Sequence, residues 1–117
     1  MSTLRLVILI LIVVLVVHLR EEVRTGFRHK LPFGVMPRSL FIGINLLLYI
    51  FCLAMFVLSF VNNKVAVPMA WAFSIAMLLN GAGHIAMMLY TRRYFPGGIT
   101  AFLLLAASGY LVSVLAT

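Results

Sequence analysis

The sequence predicts an all-α membrane protein, a four-transmembrane-helix bundle forming a single domain over residues 1–117. Three observations carry this. Apolar residues fill 65% of the 117 positions and charged residues only 9%, with a mean hydropathy of +1.21, a balance no soluble domain of this size needs. The apolar residues fall into four runs, each able to cross ~30 Å of hydrocarbon, which takes about 20 helical residues. The cations sit beside those runs rather than in a free tail, so the formal net charge of +7 points to lipid head groups and not to nucleic acid.

The first span is expected over about 3–24. Leu6 to Val17 is unbroken apolar sequence, like the core of a signal peptide, but no small-residue cleavage pattern follows and the run ends in His-Leu-Arg-Glu-Glu. Arg5 and Arg24 can snorkel outward at its two ends. Thr25 to Pro37 is a basic connector punctuated by Gly26, Pro32, Gly34 and Pro37, with Phe27, Leu31 and Phe33 able to rest at the interface.

The second span is expected over 38–61, interrupted by Ser39, Asn45, Tyr49 and Ser59, and a tight turn at Asn62-Asn63-Lys64 follows. Pro68 suits the first turn of a third span over about 67–92, where a proline sacrifices no backbone bond, and Trp71 suits an interfacial anchor. Arg92 to Gly98 closes it with charge and helix breakers. The fourth span, 99–116, offers Ala106, Ala107, Ser108 and Gly109 for close helix contact. Cys52 is the single cysteine, which excludes an intrachain disulfide and reads as a packing residue.

An even number of spans puts both termini on one side. Arg20, Arg24, Arg28, Lys30, Arg38, Arg92 and Arg93 lie on the connector side, and only Arg5 and Lys64 on the other. The positive-inside rule then makes the connectors cytoplasmic and both termini extracytoplasmic.

The chemistry gathers at His18-Leu-Arg-Glu21-Glu22. At about 100° per residue, Glu21 and Glu22 fall near −60° and +40° of His18, so an imidazole and two carboxylates share one stripe while Arg20 points away. These are the only two acidic residues, and an intramembrane carboxylate is expected to face the bundle and find a partner or a metal. Asn80 and His84 repeat the pattern four apart in the third span. Counted from the flanking arginines at ~1.5 Å per residue, His18 lies ~9 Å deep and His84 ~12 Å, with Asn45 level with them and Asn80 deeper. Tyr94 and Thr100 are placed to close this layer from below.

Two histidines and one or two carboxylates match a catalytic zinc site or the two-histidine, one-carboxylate set of non-haem iron, with room for water. A di-iron centre would call for about four carboxylates. The plainer readings are that the HxxEE residues pair with Arg20, Arg24 or His29 at the interface, that His84 bonds Asn80 or a carbonyl, and that Asn80 makes an interhelical bond. Gly81 and Gly83 would let a backbone or a lipid approach closely.

His18-x-x-Glu21-Glu22, then Asn80-x-x-x-His84, then Tyr94-x-Pro96-Gly97 with Thr100-Ala101 resemble, in order, the motifs of the HXXEE domain family of small bacterial integral membrane proteins. The resemblance covers essentially the whole chain. It implies the inner (plasma) membrane of a bacterium and an enzymatic role for the polar motif residues, and attaches no substrate.

The expectation is therefore an intramembrane, metal-dependent enzyme, hydrolase-like or else an oxidase or isomerase, acting on a lipid or apolar small molecule that enters between helices. One divalent metal, zinc or iron, would be held by His18, Glu21 or Glu22, and His84. The second glutamate would serve as acid or base, Asn80 would orient His84 or the substrate, and Tyr94 would cap the pocket. The competing expectations are a small proton or metal-ion transporter, which would need a homo-oligomer to form a pore because the outer half of the bundle offers few polar groups, and a non-enzymatic structural protein.

Overall fold

Ser2 starts the first helix by accepting the Arg5 backbone N–H on its hydroxyl at 3.3 Å, which satisfies one of the free donors at a helix start. This helix, α1, is Thr3–Thr25, and it stops at Gly26, whose left-handed φ of 77° turns its N–H back onto the Glu22 carbonyl. A single 3-10 turn follows at Phe27–His29, then α2 at Arg38–Val61, α3 at Asn63–Thr91 and α4 at Gly98–Ala116. The computed structural model describes residues 2–117; Met1 lies outside the described residues.

All four helices are long and apolar enough to cross a membrane, which makes the chain an integral membrane protein. The long axis of 42 Å exceeds the ~30 Å thickness of a bilayer's hydrocarbon core. Leu6, Val13, Val16, Leu47, Ile50, Val57, Leu79 and Leu103 are exposed on its flanks, as a lipid-facing surface requires.

One boundary differs from the sequence expectation. The third helix begins at Asn63, and Pro68 sits inside it rather than in its first turn. Asn62 is the reason, because its side chain accepts the Lys64 N–H at 3.2 Å and nucleates the helix before the proline is reached. The expected three-residue turn shrinks to Asn62 alone.

Chain order is also the order round the bundle. α4 packs extensively on α3 and on α1, α2 bridges α1 and α3 more loosely, and α1 and α3 face each other across the diagonal. The core stripes decide what meets there. On α1 the buried positions are Val7, Ile8, Leu11, Leu15, His18 and Glu22, one helix face at three- and four-residue steps. On α3 they are Ala66, Ala70, Phe73, Ser74, Met77, Gly81 and His84. Each stripe is apolar through most of its length and turns polar at the connector end, so packing the two against each other forces the histidines together.

Small residues tighten this end. A Cβ on Gly81 would stand 2.8 Å from Leu105 Cγ and 3.1 Å from the Ala101 carbonyl, so the missing side chain lets α3 close on α4. Gly83 faces open space instead. At the far end Arg5 donates to the Ser59 carbonyl from Nε and Nη2 at 3.1 and 2.8 Å, with its guanidinium 4.3 Å from the Phe60 ring centroid. That contact ties the start of α1 to the end of α2.

Candidate metal centre

His18 and Glu22 are one helical turn apart on the inward face of α1, and α3 brings His84 to meet them. Glu22 Oε2 lies 3.4 Å from His84 Nε2, and Oε1 lies 3.9 Å from His18 Nε2. The two imidazole rings stand edge to face, 4.7 Å between centroids. All three residues are buried, at 1%, 7% and 5% exposure for His18, Glu22 and His84. One ligand atom from each lies within 4.8 Å of the others.

Two ring nitrogens in this group, His18 Nε2 and His84 Nδ1, are buried without a hydrogen-bond partner. Leaving such an atom unpaired costs ~1–3 kcal/mol, so a cluster that served only to lock helices would be expected to use it. His18 Nε2 and His84 Nε2, both within 4 Å of the Glu22 carboxylate, are instead the donor set that a divalent zinc or iron ion takes. The triad could hold one.

Glu21, although next to Glu22, goes elsewhere. Its Oε1 accepts the Thr100 N–H at 2.8 Å and the Thr100 hydroxyl at 2.6 Å; its Oε2 accepts the Ile99 N–H at 3.1 Å and the Tyr94 hydroxyl. α4 has Gly97 at its N-cap position and so no side-chain cap of its own, and a helix start presents free N–H groups and partial positive charge. Glu21 caps α4 from α1. Four donors on two oxygens are the set an ionised carboxylate accepts.

This arrangement fixes the state of His18. Thr100 Oγ1 has one proton and gives it to Glu21, so at 2.8 Å from His18 Nδ1 it can only accept. Nδ1 therefore carries the ring proton, and the lone pair of His18 is on Nε2, which faces Glu22 and His84. A metal-ligating imidazole is ordinarily held in this way by an oxygen on its far nitrogen.

The connectors build the walls. Phe27 and Phe95 pack on His84 at centroid distances of 5.4 and 5.7 Å. Phe95, Pro96, Gly97 and Gly98 are all buried, so the loop between α3 and α4 folds under the bundle as a plug. Gly97, at φ 89°, lies against both histidines: a Cβ there would sit 2.6 Å from His84 Cε1 and 3.0 Å from His18 Cε1. Asn80 is half-buried and shares with Glu22, Asn45 and His84 a cavity of about 260 Å³ between α2 and α3. A second apolar cavity, about 270 Å³, adjoins Asn80 and His84 on the side of Leu79 and Phe33, both exposed.

Of the residues the sequence singles out, the structure brings His18, Glu22 and His84 into one group with Asn80 and Asn45 beside it. It sets Glu21 and Tyr94 one layer away at the start of α4, with Tyr94 half-exposed. Burial and the bond to Glu21 push the Tyr94 phenol above its ordinary pKa. Sequence reasoning passed over Phe27, Phe95 and Gly97 as site residues. The signal for Gly97 was present in a glycine doublet after a proline, which also reads as an ordinary helix stop.

No curated protein and no solved structure matches the chain. A family model described as a protein of unknown function with HXXEE motif matches residues 9–112. That stretch takes in His18, Glu21 and Glu22 on α1, Asn80 and His84 on α3 and the loop that carries Tyr94 and Gly97, and on it the chain belongs to the HXXEE family.

Proposed function

We propose that this protein is an intramembrane enzyme in which His18, Glu22 and His84 hold one divalent metal, zinc or iron, against a lipid or other apolar substrate. The observation that carries the reading is the convergence of two buried imidazoles, each through Nε2, on the buried Glu22 carboxylate, with His18 Nε2 left without a hydrogen-bond partner. A bound ion of this kind supplies Lewis acidity toward a substrate oxygen or toward water, which favours hydrolysis as the reaction class.

The chain's own residues divide the remaining work. Glu21 and Thr100 hold His18 in one tautomer and one orientation. Phe27, Phe95 and Gly97 pack against the histidines and hold the rings in place. Asn80 and Asn45 place amide groups on the cavity wall, where they can orient a substrate carbonyl or hydroxyl. Glu22 faces both histidines and completes the donor set for the ion. The lipid-facing edge of the cavities supports entry from the bilayer rather than from water.

We place the connectors and the site at the cytoplasmic face of the bacterial inner membrane, from the seven cations on that side against two on the other. A C-terminal alkaline phosphatase fusion should be active and a C-terminal green fluorescent protein fusion dark. A transporter reading has less support, since the core between the site and the opposite face is closed by Ile8, Leu11, Leu15, Met55, Phe73, Met77, Leu104 and Leu111.

Metal analysis of detergent-purified protein tests the proposal. Wild type should carry about one equivalent of zinc or iron, and His18→Ala, His84→Ala and Glu22→Gln should each lose it. Metal-free wild type with a fold unchanged by these substitutions would leave the cluster a structural device.

A further inference from the structure

Nine arginine and lysine side chains face only two carboxylates in this sequence, and Glu21 and Glu22 are committed to α4 and to the histidines. Among the described residues no lysine or arginine forms an ion pair; the two pairs present join Glu22 to His18 and His84. Most of the cations stand at helix ends, where lipid head groups answer them.

Arg28 and Arg38 are the pair that lies beside the histidine cluster. With His29 they line a cleft of about 340 Å³ between the end of α1 and the start of α2, and Glu22 forms part of its wall. On the other side of Glu22 lies the cavity of about 260 Å³ that holds Asn80 and His84. Phe27 and Phe41 line both spaces, with ring centroids 6.0 Å apart. Two aromatic rings and the Glu22 carboxylate are thus the partition between a basic cleft and a mostly apolar cavity whose wall includes Ile44, 44% exposed on the lipid side.

We propose that the substrate is an amphiphile with a phosphate head, its phosphate on Arg28 and Arg38 and its chain in the cavity between α2 and α3. The inference rests on His18, Glu22 and His84 being the reacting centre, and it names what that centre meets. Arg28 is held by bonds to the Met36 carbonyl at 3.1 Å and to His29 at 3.2 Å, which leaves further N–H groups free. Arg38 opens α2, whose N-terminus has no side-chain cap and adds partial positive charge. Two guanidinium forks and a helix start match the charge and the several oxygens of a phosphate better than one carboxylate would. With the phosphate in the cleft and the chain in the cavity, the bonds just below the head group lie at the partition, beside Glu22.

Calorimetric titration of the detergent-purified protein with dihexanoyl phosphatidate, dihexanoylglycerol and inorganic phosphate tests this, with metal content measured on the same samples. Phosphatidate is expected to bind at least about tenfold more tightly than either other probe. Arg38→Gln, at an exposed position, and Arg28→Gln should each abolish that preference, and the double variant Arg92→Gln, Arg93→Gln should keep it.

Equal binding of dihexanoylglycerol would overturn the head-group assignment, and equal binding of inorganic phosphate would reduce the cleft to a simple anion site and overturn the amphiphile. Loss of preference in the Arg92 and Arg93 variant as well would show surface charge alone and overturn it too. Stoichiometric metal without the preference sinks this inference and spares the metal reading. The preference without metal does the reverse.

Discussion

Replacing Thr100 by valine keeps the shape of the side chain and removes one hydroxyl, and the structure gives that hydroxyl two tasks. It accepts the His18 Nδ1 proton at 2.8 Å and donates to Glu21 at 2.6 Å. His18 is 1% exposed, so water cannot take over as acceptor, and an unpaired buried N–H costs ~1–3 kcal/mol. The ring escapes that cost by rotating or by moving its proton to Nε2. Either escape withdraws the Nε2 lone pair from the metal centre.

Loss of such an outer partner weakens metal binding by about 10–100-fold, equivalent to about 1.4–2.8 kcal/mol. Glu21 keeps its bonds from Tyr94 and from the Ile99 and Thr100 backbone, so the cap on α4 survives and the fold should persist. Zinc affinity measured by competition with a chelator reads the effect directly, with Thr100→Ser as the control that restores the hydroxyl. A valine variant that binds zinc within about twofold of wild type, well short of that range, would refute the assigned tautomer and with it the task given to Glu21.

The two adjacent glutamates should separate in the same assay: Glu22→Gln removes the metal, whereas Glu21→Gln keeps about one equivalent at lower affinity and frays α4, read as lower thermal stability. Gly97→Ala should lose both metal and stability, because a Cβ there overlaps His84, 2.6 Å from Cε1, and the φ of 89° adds ~1–2 kcal/mol of backbone strain. Arg5→Gln should lower the unfolding temperature and leave metal content unchanged, since its bonds to Ser59 lie at the opposite end of the bundle. In the absorbance difference between wild type and Tyr94→Phe, the phenol should ionise above its ordinary value near 10. The folded chain holds that proton more tightly than the unfolded one, so this contribution to stability is complete below about pH 10 and declines as pH rises further.

The four helices were legible because the bilayer leaves a chain of this hydropathy few alternatives, and the convergence of His18 with His84 was legible because both lie on core stripes at similar depth. What escaped the sequence was the choice between Glu21 and Glu22. Their angular offsets from His18 are similar, and the decision is made by the free N–H groups at the start of α4, a partner 78 residues away in the chain from Glu21. Phe27 and Phe95 escaped for another reason: connectors carry no periodicity, so nothing local says that they fold inward. The start of α3 was misplaced because proline is the louder signal and the Asn62 cap the stronger one.

Tyr94, Glu21, Thr100 and His18 make an unbroken line of hydrogen bonds from the solvent edge to a fully enclosed imidazole. Its polarity is set, for the tyrosine donates inward, the histidine donates outward through the threonine, and the two arms collide at Glu21. Such a line is a sink and not a wire: to carry a proton from end to end, every hydroxyl and the ring itself would first have to reverse. Side-chain chemistry that looks made for conduction therefore works here as a lock, keeping the imidazole still while its other edge is left free to act.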